Sequence, residues 1–371
     1  MEQIKSENKA ATAERNLGID ALRIFSMLLI VLLHIYNKGG LVVAMDKEDS
    51  LVFQLNYPVR LLCMASVNLY ALISGYVMVN SRFRPARFME LWLQTLVIGL
   101  VSCLIWTLFK PERVSFANWG TALLPVTQRE YWYFTAYAGL YLLTPLLNRG
   151  LRAMNERQHK ALMLGIFGLF SLGWLLGKLY FGDSFNLGGG YSVIWLVLLY
   201  IMGAGFKRTG FLRVMACWKL WLGVLLSVAL LWLAFNILRL DLLSEVEANG
   251  KKIIMSYCNP LIVTLSLCVF ALFCRLRISG TAELVIRFLS PLTFGVYLIH
   301  VHPLTFEALD RKGKFLGELP PLLVLPAAIG IALGVFLLCA LLDWLRSLLF
   351  RLLHVRRLCD TAERSISKIW R

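Results

Sequence analysis

Ten apolar runs dominate this sequence, and each is close to the length that a helix needs to cross a lipid bilayer. Runs of roughly 17 to 25 apolar residues are typical of transmembrane helices. The chain of 371 residues is 58 % hydrophobic and only 16 % charged, a balance that a soluble domain could hold only by exposing large apolar patches. The sequence therefore predicts an all-α polytopic transmembrane bundle of about ten helices. The predicted helices begin near Leu17, Pro58, Leu91, Trp132, Lys160, Ser192, Leu220, Cys258, Phe288 and Pro321.

The basic residues cluster in every second predicted loop, for example at residues 82–87 and 275–287. By the positive-inside rule, this alternation predicts that both termini are cytoplasmic. The same placement explains the net charge of +16 without a nucleic-acid partner. We expect residues 1–16 to form a polar cytoplasmic segment before a retained first helix, and residues 17–345 to form the membrane domain. Residues 346–371 are predicted to be a basic cytoplasmic tail with an interfacial helix.

Two ionisable side chains, Arg23 and His34, lie inside the first apolar run. A helix places both on one face, separated by roughly 16 Å along its axis. Insertion of an arginine into lipid costs about 2.5 to 3.5 kcal/mol, so this face, with Asp20 on nearly the same stripe, is expected to point into a protein cavity. The alternative is that Arg23 snorkels to the cytoplasmic headgroups and that His34 lies in the outer interface.

The second apolar run carries small and polar residues, and a basic cluster follows it at once. Ser74 could serve only to let helices approach closely, and Asn68 could form only an interhelical hydrogen bond. Arginine forks suit phosphate oxygens, so Arg82, Arg84 and Arg87 are candidates for binding a phosphate-bearing donor that arrives from the cytosol. The positive-inside rule alone also accounts for these three arginines.

Aromatic residues and histidines mark two later runs. Tyr131 and Trp132 open the fourth run, where an aromatic belt at the membrane interface is an alternative explanation. Tyr297 and His300 lie within the ninth run, and His302 follows closely. A histidine buried among helices is often only a hydrogen-bonded core residue, and this alternative applies to His300 and His302.

No phosphate-binding Walker loop, dinucleotide fingerprint or nucleophile-elbow motif occurs in the sequence. This argues against an ATP-driven pump, a nicotinamide enzyme and an ordinary serine hydrolase. The eight cysteines are scattered through apolar runs and are expected to be packing residues. Because neither the cysteines nor the five histidines show metal-type spacing, we predict no metal site.

Four of these stretches, in their order and spacing, resemble the motifs of the acyltransferase 3 family of bacterial integral membrane proteins. The resemblance is closest to the branch that O-acylates surface polysaccharides. The motifs are residues 20–23 with His34, residues 68–76 with the arginines that follow them, residues 131–134, and residues 294–300. Together they cover residues 17 to about 345. Two positions depart from the pattern, because many relatives carry aspartate where Asn68 stands and histidine where Tyr131 stands.

The resemblance implies transfer of an acyl group, usually acetyl, from a cytosolic acyl-CoA to a sugar hydroxyl at or beyond the outer face. The acceptor would be a surface polysaccharide such as lipopolysaccharide, or a lipid-linked glycan. Acetyl-CoA or another acyl-CoA would be a co-substrate, and no tightly bound cofactor is expected. The implied location is the bacterial inner membrane. Glycan-synthesis enzymes or further copies of the chain are candidate partners.

The residue chemistry suits this reaction. Histidine has an ordinary pKa near 6.5, so His34 is the candidate general base for the sugar hydroxyl. Arg23 is the second catalytic candidate, because its guanidinium could stabilise the negative charge on the carbonyl oxygen or bind the donor's phosphates. Roughly 16 Å separates it from His34, which favours anchoring of the donor over contact with the reacting carbon. Asp20 would hold Arg23 in position or merely neutralise it. The candidate donor- or substrate-binding residues are Asp20, Ser74, Arg82, Arg84, Arg87, Trp132, Tyr297 and His300.

Two other functions fit the same composition. A transporter or flippase of a lipid-linked glycan could also line its path with Arg23 and His34, although no paired glycine or proline breaks mark an inverted repeat. A relative without catalytic activity could serve as an assembly partner for glycan-synthesis enzymes.

Overall fold

The computed structural model describes residues 16–45, 50–127, 131–210, 214–238 and 250–369. Every long regular element in these ranges is a helix, and no strand occurs in them. The predicted N-terminal segment falls almost entirely outside the described residues. The long helices are Leu17–Asn37 (α1), Leu51–Met78 (α2), Pro85–Phe109 (α3), Trp132–Ala153 (α4), Glu156–Tyr180 (α5), Val193–Thr209 (α6), Cys217–Leu238 (α7), Pro260–Cys274 (α8), Thr281–His300 (α9), Pro321–Leu352 (α10) and Val355–Ile369 (α11).

The ten apolar runs correspond to α1 to α10, which confirms the predicted all-α helical bundle. By length and composition, seven described helices could each cross a membrane, namely α1, α2, α3, α5, α7, α9 and α10. Helix α8 is apolar but shorter. A turn at Met64 interrupts α2, and a 3-10 turn at Ser290–Leu292 interrupts α9. The side of the membrane on which each terminus lies stays a prediction.

The bundle has two chemically different ends. Arg23, the start of α3 and the last turns of α10 lie together at what we call the arginine end. The opposite end, which we call the histidine end, holds His34, His300 and the segment that follows α9. Helix α1 runs from the arginine end to the histidine end, so its single polar face joins the two.

Helices α2 and α6 pack with almost no space between their backbones. A Cβ atom at Gly75 would collide with the carbonyl oxygen of Tyr200, and one at Gly203 would collide with that of Leu72. Small residues at such crossings allow membrane helices to pack through their backbones. Asn68 strengthens the same region, because it donates to the carbonyl of Tyr257 at 2.9 Å and accepts from the Trp195 indole at 3.0 Å.

Buried ion pairs fix the helices at the arginine end. The Asp20 carboxylate, with its side chain only 3 % exposed, accepts from Arg23 at 2.9 Å and from the Ser290 hydroxyl at 3.1 Å. The fully buried Asp343 on α10 accepts two hydrogen bonds from Arg346 at 2.8 and 3.0 Å, and one from Gln94 of α3 at 3.0 Å. Each buried carboxylate therefore ties its own helix to a second helix.

The tail helix α11 packs back on α3 rather than lying free of the bundle. Val355 and Cys359 are buried against Ala86. Arg84 donates to Asp360 at 2.6 Å and to Glu363 at 3.3 Å. The tail is therefore a wall of the arginine end. Helix α10 continues through residue 346, where the tail is predicted to begin, and ends at Leu352.

The α2–α6 crossing yields a stability prediction. Gly75→Ala and Gly203→Ala should each lower the thermal midpoint of the detergent-solubilised protein. An added methyl group would overpack the crossing, which lowers the free energy of unfolding by about 1–3 kcal/mol. Gly330→Ala on α10 is the matched control, since a Cβ there meets nothing within 4 Å. Equal melting of all three variants would contradict the close crossing.

Candidate active site

A large cavity of about 900 Å³ opens at the arginine end, and we call it the arginine cavity. Arg23 lines it from α1, Tyr137 from α4 and Pro291 from the turn in α9. The arginines of its wall come from four helices and a loop. They are Arg23, Arg82, Arg84, Arg87, Arg346, Arg351, Arg356 and Arg357.

The three arginines predicted to bind the donor's phosphates, Arg82, Arg84 and Arg87, are not equivalent. Arg84 is occupied by the tail carboxylates, and the hydrogen bond to Glu363 together with the charge of Asp360 raises its pKa above the ordinary value. Arg82 and Arg87 are exposed in the cavity wall and form no ion pair with a described residue. The structure thus leaves Arg82 and Arg87 available for an anionic ligand, while Arg84 holds the tail.

His34 contacts a second histidine across the bundle. Its Nδ1 lies 3.1 Å from Nε2 of His300, although 266 positions separate the two residues in sequence. His300 is buried, and its own Nδ1 lies 2.6 Å from the carbonyl oxygen of Val296. Phe306 packs edge-on against His34 with ring centroids 5.0 Å apart.

This geometry determines where the protons of the neutral rings lie. A carbonyl oxygen only accepts, so the Val296 carbonyl requires a proton on Nδ1 of His300. Nε2 of His300 is then an acceptor, and Nδ1 of His34 must donate to it. The remaining nitrogen of His34, Nε2, is therefore unprotonated, which is the state that a general base needs.

Cavities flank His34 on two sides. The aromatic cavity, of about 90 Å³, is lined by apolar and aromatic side chains that include Tyr70, Trp132, Tyr133 and Tyr297. The lysine cavity, of about 230 Å³, opens at the histidine end. Among the described residues, the charged side chains that line the lysine cavity are Lys38 and Lys312. His34 is a lining residue of both cavities.

Tyrosines separate the arginine cavity from the aromatic cavity. The Tyr70 hydroxyl donates to the backbone carbonyl of Arg23 at 3.0 Å. Tyr137 lines the arginine cavity, and Tyr133, one turn earlier on α4, lines the aromatic cavity. The buried hydroxyl of Tyr133 has no hydrogen-bond partner among the described residues. It is thus a donor available to a ligand in the aromatic cavity.

The remaining predicted residues have different positions. Trp132 and Tyr297 line the aromatic cavity, as a substrate-binding role requires. Ser74 donates to the carbonyl of Tyr70 in its own helix at 2.9 Å and lines none of the cavities described above. Asn68 forms the interhelical hydrogen bonds described above. Tyr131 lies instead beside His302 in a small crevice near the start of α4.

Several residues at the site carry no sequence signal of the kind used above. Tyr257 and Tyr191 also line the aromatic cavity. The ring of Trp132 packs at a tilt against that of Tyr191, with the ring centroids 4.5 Å apart. The lysine cavity takes Lys38 and Lys312 from two loops distant in sequence. The Asp343 pair was detectable, because aspartate and arginine three residues apart in an apolar run repeat the arrangement of Asp20 and Arg23.

Among the described residues, no group of three or more histidine, cysteine, aspartate or glutamate side chains could hold a metal ion. The site's chemistry is carried by imidazole, guanidinium, phenol and ammonium groups. These groups can accept a proton, stabilise an oxyanion and bind phosphate.

Comparison with known proteins identifies the family. The model of the acyltransferase 3 family, described as an acyltransferase domain, matches residues 16–344. The chain belongs to this family and is a multi-pass membrane acyltransferase. Searches of curated proteins and of solved structures each found no match. The matched region includes α1 to α9 and most of α10, whereas α11 lies beyond it.

The contact between His34 and His300 predicts a tautomer that can be measured. In protein labelled with ¹⁵N-histidine, the neutral ring of His34 should carry its proton on Nδ1. His300→Phe removes the acceptor, so the ring of His34 should then populate both tautomers. The exposed His354, changed in His354→Gln, is the matched control and should leave the His34 signals unaltered. A proton on Nε2 of His34 in the unmodified protein would contradict the arrangement.

Proposed function

We propose that this protein is an O-acyltransferase that moves an acyl group, acetyl in the first instance, from acyl-CoA to a sugar hydroxyl. The acceptor is a surface polysaccharide or a lipid-linked glycan, and the location is the bacterial inner membrane. One observation carries the proposal, namely that His34, with Nε2 unprotonated, forms a common wall of two cavities. Its helix also presents Arg23 to the arginine cavity.

The arginine cavity suits the nucleotide part of acyl-CoA. The phosphates of acyl-CoA are anionic, and guanidinium groups bind phosphate oxygens in bidentate fashion. Arg82 and Arg87 would bind these phosphates, and Arg23 would act deeper in the cavity. At roughly 16 Å from His34, Arg23 is too far away to touch the reacting carbon, so it anchors the donor.

The acyl group would occupy the aromatic cavity, where about 90 Å³ of space favours a short chain such as acetyl. Tyr70, Tyr133 and Tyr137 lie between the nucleotide site and this cavity, so their rings must move to admit the pantetheine arm. This location puts the thioester carbonyl beside the unpartnered hydroxyl of Tyr133 and beside His34.

The reaction then follows from the positions of these groups. Nε2 of His34 accepts the proton of the sugar hydroxyl as its oxygen attacks the thioester carbon. The Tyr133 hydroxyl donates a hydrogen bond to the carbonyl oxygen as negative charge develops there. The carbon–sulfur bond breaks, and the CoA thiolate takes the proton held by His34. His300 fixes the His34 ring and supports its positive charge during the step.

The family match favours acyl transfer over the transporter and over an inactive assembly partner. Histidine is well suited to the task, and His34 lines both the aromatic cavity and the lysine cavity. Nothing in the described residues requires a solute to pass the whole bundle.

Mild-base release of acetate from surface glycan tests this function. Cells that carry the intact protein should release acetate that a deletion strain lacks. His34→Gln should lower the ester content by a factor of roughly 10² or more, as expected for loss of a general base. Tyr133→Phe should lower it by a similar factor if its hydroxyl binds the oxyanion, since loss of one such donor costs about 10²–10³.

Two controls belong to this measurement. Tyr180→Phe changes an exposed tyrosine away from the cavities and should leave the ester content unchanged. Membrane levels of each variant must match, and glycan export must be measured in parallel. Full ester content in the His34→Gln strain would contradict the proposal, and glycan trapped inside the deletion strain would favour the transporter.

The differing states of the arginines predict how donor affinity changes. Arg82→Ala and Arg87→Ala should each raise KM for acetyl-CoA about tenfold with little change in kcat, because each removes a phosphate contact remote from the reacting carbon. Arg149→Ala is the matched control, since Arg149 is exposed and lies outside the cavity lining. A fall in kcat at constant KM would place these arginines at the chemistry and contradict the assignment.

A further inference from the structure

An apolar groove runs along the outside of the bundle between α3 and α10, and the proposed function assigns it no role. Its volume is about 640 Å³. Leu338, Leu342, Leu345 and Leu349 project into it from α10 with about half of each side chain exposed. From residue 335 to residue 349, the helix rise gives a groove of about 21 Å, which is a large part of the bilayer's hydrocarbon thickness.

The groove and the lysine cavity share three lining residues. His300 lines the groove and also the lysine cavity, and Leu309 and Val335 are common to both. An occupant could therefore extend from the groove into the lysine cavity without leaving the surface of the bundle. His34 also lines that cavity.

The charge of the lysine cavity selects the kind of headgroup. Lys38 and Lys312 are the charged side chains that line it within the part of the chain that the structure describes. Nζ of Lys38 lies 3.5 Å from the Asp310 carboxylate in a partly exposed ion pair. Lys312 forms no ion pair with a described residue. An anionic group between the chain and the sugar would therefore be bound here, while a neutral linkage would gain nothing from the lysines.

We propose that the acceptor is a sugar joined through phosphate to a long hydrocarbon chain, and that the groove between α3 and α10 binds this chain. The chain lies against the leucines of α10, the phosphate contacts Lys38 and Lys312, and the sugar hydroxyl reaches Nε2 of His34. This inference rests on the proposed function and narrows its acceptor, a surface polysaccharide or any lipid-linked glycan, to a sugar that phosphate joins to the membrane-anchored chain.

The test compares acceptors in purified, reconstituted protein with acetyl-CoA as donor. The probes are N-acetylglucosamine phosphate esterified to a long isoprenyl chain, the same sugar phosphate with a methyl group, and a neutral glycoside with the long chain. Leu338→Trp fills the groove, and Leu337→Trp is the matched control, because Leu337 is equally exposed on α10 but outside the groove lining. Lys312→Gln removes the unpaired charge.

We expect the long-chain phosphate to be the best acceptor. Leu338→Trp should lower the ratio of long-chain to methyl-ester activity about tenfold, the change expected when a few methylene groups lose their contacts. Leu337→Trp should leave this ratio unchanged. Lys312→Gln should reduce the preference for phosphate over the neutral glycoside. Equal activity with long and methyl esters in every variant would overturn the inference.

A binding measurement without donor separates this inference from the proposed function. A diazirine-bearing isoprenyl sugar phosphate should label peptides of α3 and α10, and Leu338→Trp but not Leu337→Trp should reduce the labelling. Equal labelling of both variants would make the groove an ordinary lipid-facing surface and overturn the proposal. So would selective loss of long-chain acyl-CoA turnover in Leu338→Trp, because the groove would then hold the donor's chain. Groove labelling with no acyl transfer to any acceptor would contradict the proposed function alone.

Discussion

The absence of water from the bilayer interior is the constraint on which this structure depends. A polar group that lacks a partner in the bilayer interior costs several kcal/mol, so burying a charged group inside the bundle favours pairing it within the protein. Asp20 meets Arg23 and Ser290, and Asp343 meets Arg346 and Gln94. The requirement to pair buried charges therefore decides which helices are neighbours at the arginine end, and apolar packing fills the rest.

The same constraint makes the histidine contact informative. A buried imidazole needs partners for both nitrogens, and His300 satisfies its own with Val296 and His34. His34 has one nitrogen left, and the residue lines two cavities. The same hydrogen bonds fix the neutral tautomer of His34 and leave its Nε2 unprotonated, which is the state that the proposed general base requires.

The sequence predicts much of the fold because a membrane helix is a local feature. Length and hydropathy alone locate α1 to α10, and the helical period places Arg23 and His34 on one face. The partner of His34 is not predictable in this way, since nothing local connects positions 34 and 300. The same holds for Lys312 in the lysine cavity and for the tail carboxylates on Arg84. These contacts depend on which helices are neighbours, and hydropathy carries no information about that.

The central claim is that donor and acceptor enter from opposite ends and meet at His34. Oriented proteoliposomes test it directly, with acetyl-CoA supplied only at the arginine end and a sugar acceptor confined to the histidine end. The account predicts ester formation across the membrane in this arrangement and none when acetyl-CoA is supplied only at the histidine end. Ester formation only when both substrates share one side would contradict it.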